Sequence, residues 1–106
     1  MAIPYDLTRA VKTSLRINHP ALDDDLNDTI SACLADLRVC GILPALAAED
    51  KAELDPLIMN AVKLYCKAEF TDEPAKAASY ATRYDKLKSC LMMAKGYAYE
   101  EAVQGE

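Results

Sequence analysis

The sequence predicts an all-α domain, a small bundle of about four helices with a long C-terminal helix and a flexible tail. Three observations lead there. Apolar residues recur at intervals of three and four along most of the chain, helix-stopping Gly and Pro fall between those stretches, and no alternating run is long enough to require a strand. A length of 106 residues suits one domain, expected over residues 1–96, with residues 97–106 as a mobile tail. A chain of this size buries roughly two thirds of the surface its unfolded form exposes, which makes a real but modest core.

The first helix is expected over residues 7–17, where Leu7, Val11 and Leu15 are spaced by four and Asp6 is a candidate cap. Asn18-His19-Pro20 stops it, because the residue before a proline avoids the helical region. A second helix, residues 22–40, carries Leu22, Leu26, Ile30, Cys33, Leu34 and Leu37 on one stripe and closes on Gly41. Residues 43–54 are rich in Ala, Leu, Glu and Lys after Pro44. They are compatible either with a single helical turn or with a contact lobe.

The third helix has the clearest start. Asp55 is the cap, Pro56 fits the first helical position, and Leu54 is placed to pack on Met59; the helix should reach Phe70. Thr71-Asp72-Glu73-Pro74 connects it to a fourth helix whose stripe is Ala77, Tyr80, Tyr84, Leu87, Leu91 and Ala94, with Gly96 as its stop. That helix would span about 30 Å at 1.5 Å per residue.

Charge is unevenly distributed: +2 over residues 1–20, −7 over 21–55, +3 over 56–95 and −3 over 96–106, for a total of −5. An acidic total disfavours a surface that grips phosphate backbones. Arg83, Lys86 and Lys88 make the fourth helix locally basic, and this supports the alternative reading of a small helical nucleic-acid-binding protein. No apolar run approaches the roughly 20 residues of a membrane span, and Met1 to Asp6 lacks the basic and apolar regions of a secretion signal, so a soluble protein is expected.

No catalytic, cofactor or metal site is expected. Cys33, Cys40, Cys66 and Cys90 are widely spaced, form no Cys-x-x-Cys pair, and read as buried small hydrophobes in a reducing compartment. Asp23, Asp24, Asp25 and Asp28 lack the spacing of a calcium loop and fit better as acids opposing the positive end of a helix dipole. His19 has no oxyanion device or Gly-rich turn beside it, and three glycines leave no phosphate-cradling loop. A hydrolase would need a pocket that this pattern does not build. Tyr65, Tyr80 and Tyr84 fall on apolar stripes as core residues with hydroxyls near the surface, whereas Tyr97 and Tyr99 lie past the last helix and are candidates for a protein interface.

Three blocks resemble the small head-tail connector family of tailed bacteriophages, also called head-completion or adaptor proteins. The first runs from Leu22-Asp23 through Leu26, Ile30 and Ala35-Asp36-Leu37 to Cys40-Gly41-Ile42. The second is Asp55-Pro56-Leu57-Ile58 with Ala61-Val62, Tyr65 and Lys67-Ala68-Glu69-Phe70, and the third is Tyr84-Asp85, Leu87-Lys88, Leu91 and Gly96-Tyr97. The middle block is the most specific. Thr71 stands where the family often has glycine, and residues 43–54 are long and alanine-rich for it.

The resemblance implies a virion subunit at the head-tail junction, assembled in the host cytoplasm. It would form a homo-oligomeric ring matching the twelve-fold portal, dock under the portal protein after DNA packaging, and present a platform to a tail-side stopper or tail completion protein. DNA would meet it only by passing through the channel. A head-to-tail ring needs two different complementary faces on each subunit. The residues expected at such faces are Leu43 and Leu46 in the lobe, Arg83 and Lys88 on the fourth helix, and Tyr97 and Tyr99 beyond it.

Overall fold

A computed structural model describes residues 3–18, 20–48 and 54–98. It contains four α-helices: α1 (Tyr5–Leu15), α2 (Asp23–Val39), α3 (Pro56–Phe70) and α4 (Pro74–Met92), with a 3-10 turn at Pro20–Leu22. No strand is present among the described residues; the sole extended pairing is an antiparallel bridge between Ile42 and Ala98.

α1 starts two residues earlier than the periodicity indicates. Pro4 sets the entry, its carbonyl accepting from the Leu7 and Thr8 amides, and Asp6 sits in the first turn without capping it. Arg16 ends the helix in the left-handed region at φ 62°, where the Ile17 amide returns to the Lys12 carbonyl. Leu22, expected on the core stripe of α2, instead lies in the 3-10 turn and is exposed, because the helix proper begins at Asp23. The Asp23-Asp24-Asp25 run occupies that first turn, as a dipole role requires.

α3 has the predicted bounds. Asp55 accepts the Leu57 amide at 3.0 Å, and Pro56 fills a position whose missing N–H costs nothing. α4 stops at Met92, short of Gly96. The Met93 and Ala94 amides turn back to Cys90 and Leu91, and Gly96, at φ 88°, then redirects the chain toward Ile42. Its length is 19 residues, ~28 Å at 1.5 Å per residue.

Side-chain pairs fix the helix directions. Thr8 meets Asn27 at 2.6 Å and Lys12 meets Asp23 at 2.8 Å, so α1 runs antiparallel to α2. Tyr97 reaches Asp55 at the start of α3 while Lys67, near its end, lies over the Tyr80 ring, so α3 and α4 are antiparallel. The bundle therefore has two distinct ends. One gathers the C-terminus of α1 with the connection from α3 to α4. The other gathers the C-termini of α2 and α4 with the start of α3.

α3 packs against all three other helices and is the hub of the core. Its Ile58, Ala61, Val62 and Cys66 are fully buried among Leu7 and Val11 of α1 and Leu26, Ile30, Cys33, Leu34 and Leu37 of α2. The predicted stripe of α4 is the face turned inward, with Tyr84 and Leu91 buried and the other four positions half-buried. The rest of that helix is largely exposed.

Candidate functional site

The end of the bundle where α2 and α4 finish is closed by a network that the sequence only partly announces. Gly41 turns the chain at φ 106°, and the Leu43 amide then donates to the Tyr97 carbonyl at 2.8 Å beside the Ile42–Ala98 bridge. Residues 43–47 make a single hydrogen-bonded turn, with the Leu46 and Ala47 amides both directed at the Leu43 carbonyl. The Arg38 guanidinium donates to the Ala47 carbonyl at 2.6 Å and pins that turn to α2. Leu43 is half-buried, and half-buried Leu46 packs against the core.

Tyr97 differs from its expected placement. It is half-buried against the core, and its hydroxyl donates to the Asp55 carboxylate at 3.0 and 3.2 Å. The hydrogen bond to that carboxylate raises the phenol above its ordinary value, since ionisation would place two anions together. Asp55 thus caps α3 and holds the returning chain at once. Asp55→Ala should cost about 1 kcal/mol from the lost cap, and it should also speed hydrogen exchange at the Leu43 amide, whose partner Tyr97 carries. Unchanged exchange at Leu43 would show that the bridge holds without Asp55. Tyr99 lies outside the described residues.

A second network joins α2 to α4. The Tyr84 hydroxyl donates to Asp36 Oδ2 at 2.7 Å, Lys88 Nζ donates to the same oxygen at 2.9 Å, and the Cys33 thiol lies 3.8 Å from the Tyr84 hydroxyl. Tyr65 of α3 packs edge-on against the Tyr84 ring at 5.1 Å between centroids, and the Lys88 ammonium lies 5.2 Å from the centre of that ring. The phenol is carried into the core and must find an acceptor there, because an unpaired buried hydroxyl is costly.

The charges respond accordingly. Burial pushes the Asp36 carboxyl upward, but the hydrogen bonds from Tyr84 and Lys88 together with the lysine's charge outweigh it, and the carboxyl ends below its ordinary value. Burial likewise works against the Lys88 ammonium and is overcome by Asp36, which raises it. Tyr84 is driven well up, first by burial and then by the neighbouring Cys33 and Asp36. Lys88, expected on a basic outer face, is therefore spoken for within the fold; Arg83 remains on the exposed side of α4.

The signal for this network was present but unread. Asp36 is a carboxylate next to buried Leu37 and two positions after buried Leu34, and Tyr84 and Lys88 stand four apart on one face of α4.

The cysteines divide into two kinds. Cys33 and Cys66 are buried as expected, with burial pushing the Cys33 thiol up to about 12 and the Cys66 thiol higher still. Cys40 is half-buried and Cys90 exposed, because position 90 falls off the inward stripe of α4. An aromatic disulfide reagent should accordingly label Cys90 quickly and Cys40 slowly, leaving Cys33 and Cys66 unreacted until denaturant is added. Rapid modification of all four thiols would contradict the packing.

Asp23 is bound to α1 by the ion pair with Lys12, whose ammonium lies 2.8 Å from its Oδ1. No group of three His, Cys, Asp or Glu side chains among the described residues is placed to hold a metal ion, and His19 lies outside them. No helix among the described residues is long and apolar enough to cross a membrane.

The sequence model of the phage connector protein family matches residues 7–98. The chain belongs to that family. The matched span takes in nearly all of α1, the whole of α2 to α4, and the Ile42–Ala98 bridge, so the connector's two internal networks lie inside it. No curated protein and no solved structure matches the chain. The family is structural in character, so the connector associates with other phage head or tail proteins.

Proposed function

We propose that this connector is a non-catalytic ring subunit that docks under the portal after DNA packaging and gives the tail its attachment platform. The match of the connector family over residues 7–98 carries the reading. The exposed side of α4 supports it, since a helix with only Tyr84 and Leu91 buried has a wide face left for a neighbour. The ring has the portal's twelve-fold symmetry, its partners are the portal and a tail-side stopper or completion protein, and DNA passes through without being gripped. Arg83 lies on the face toward a neighbour, and Leu43, Leu46 and Tyr99 serve as contact residues. Lys88 and Tyr97 hold those elements in position through Asp36 and Asp55. A nucleic-acid grip by α4 is disfavoured, because one of its three central cations is committed to Asp36 and the total charge is −5.

The test is mass by light scattering for the connector alone and with purified portal. A complex with a whole number of connector chains per portal ring is expected. A protein that never associates with portals or with connector-lacking heads would refute the reading.

A further inference from the structure

At the end of the bundle opposite the Tyr97 closure, the C-terminus of α1, the last turn of α3 and the first turns of α4 enclose a groove of about 600 Å³. Its lining includes three cations, Arg16, Lys67 and Lys76, and no carboxylate. Phe70 and Tyr80 supply aromatic surface, and Lys67 Nζ sits 5.7 Å from the centre of the Tyr80 ring. Lys76 also pairs with Glu73 at 3.3 Å, an exposed pair worth little on its own. In a chain of net charge −5, this groove is locally positive.

Arg16 is also the single described non-glycine residue with positive φ, at 62°. Its position is a helix C-terminus in the left-handed conformation, where glycine is the usual occupant and any other side chain costs about 1 kcal/mol or more. Glycine would satisfy the backbone, so folding alone does not call for an arginine there.

The sequence holds a segment of opposite character. Residues 99–106 read Tyr-Glu-Glu-Ala-Val-Gln-Gly-Glu, with an aromatic, three glutamates and no cation. We propose that the groove receives this segment from a second copy of the chain, with Tyr99 against Phe70 and Tyr80 and the Glu100 and Glu101 carboxylates against Arg16, Lys67 and Lys76. This deepens the ring reading and rests on it for the identity of the partner.

Reach works against the chain's own groove for those residues. Tyr97 is held at Asp55, and Lys67 lies twelve positions further along α3, ~18 Å at 1.5 Å per residue. Three residues beyond Ala98 extend at most ~11 Å. Tyr99, Glu100 and Glu101 would meet the groove of the same molecule only as a fully extended chain with their side chains and that of Lys67 outstretched, whereas a neighbour's groove imposes no such cost. A segment leaving one end of the bundle and a groove at the other are two different surfaces, which is what a head-to-tail contact uses.

The probe is a fluorescein-labelled peptide of residues 98–106, titrated with the full-length protein and read by polarisation. Saturable binding is expected, weakened several-fold between about 50 and 300 mM NaCl as the charges are screened. Lys67→Met and Arg16→Gly should each weaken it about three- to tenfold, by loss of a charge-assisted contact. The Arg16→Gly protein should melt at an equal or higher temperature, because glycine relieves the left-handed turn, and this separates lost binding from lost folding. A peptide with both Glu100 and Glu101 changed to Lys should not bind.

Binding unaffected by Arg16→Gly and Lys67→Met, or displacement of the peptide by equimolar duplex DNA, would overturn the proposal. So would portal-bound rings that form normally without residues 99–106, and that result would leave the ring reading in place. If the full chain never associates with portal while the peptide still binds the groove, the ring reading fails and the groove assignment survives as a contact between copies.

Discussion

Ile58→Ala is expected to lower the unfolding free energy by about 3 kcal/mol, within the 2–5 kcal/mol typical of large-to-small changes in a sealed core. Ile58 is fully buried on α3, the helix that touches the other three. Removing three carbons there leaves a void lined by side chains from several helices, and no single helix can shift to fill it without opening another contact. For a domain whose total stability is of order 5–15 kcal/mol, such a loss is a large share. The chain has no tryptophan, so urea unfolding is best followed by circular dichroism at 222 nm. A loss below about 1 kcal/mol would mean that the surroundings collapse onto the site, contrary to a hub role for α3.

Asp36→Ala is expected to cost about 2 kcal/mol by a different route, leaving the Tyr84 hydroxyl and the Lys88 ammonium without their shared acceptor. Asp36 is itself partly exposed, so water recovers some of the loss and the figure stays below that for a sealed ion pair. Asp36→Asn keeps an acceptor and should cost less.

The two proteins should also differ in pH dependence. The folded Asp36 carboxyl titrates below its unfolded value of about 3.9, so its contribution is fully present above that value and is lost as pH falls through the lower folded one. The wild-type chain should therefore lose more stability than Asp36→Asn on acidification below about pH 4. Lys88 is raised, so its contribution holds below the ordinary lysine value and is lost only as pH rises beyond it. Parallel acid limbs for wild type and Asp36→Asn would remove the carboxylate from the account. Additive losses in Asp36→Ala combined with Lys88→Met would likewise show that the pair is not coupled.

The helices were legible because periodicity, caps and stops are local. Asp55-Pro56 fixes the start of α3 through one side-chain oxygen and one missing N–H, and both effects act within three residues. The stripe of α4 was legible for the same reason, since helix geometry alone decides which positions share a face. Where the reading slipped, the deciding interaction was distant. The local pattern points to Gly96 as the stop of α4, yet it serves the return of the chain to Ile42, and nothing within α4 encodes that destination. The place of Tyr97 past the last helix points to exposure, but its hydroxyl is held by Asp55, 42 positions earlier.

The candidate surfaces divide along the same line. Leu43, Leu46 and Arg83 could be chosen from composition and from their place on the helical pattern. The groove could not, because Arg16 just past α1, Lys67 of α3 and Lys76 of α4 become neighbours only when those helices are packed.

By itself, then, the sequence determined that the chain is a four-helix domain with an acidic total, and its three motif blocks carried the likeness to connectors. Patterns of apolar spacing, capping residues and formal charge are properties of the chain in order, and folding does not alter them. The tertiary structure decided where those charges are brought together. Lys88 is consumed by Asp36 and the Tyr97 hydroxyl by Asp55, while Arg16, Lys67 and Lys76 converge around one groove. Electrostatic and hydrogen-bond energies depend on distances through space, and those distances exist only once the helices have been laid against one another.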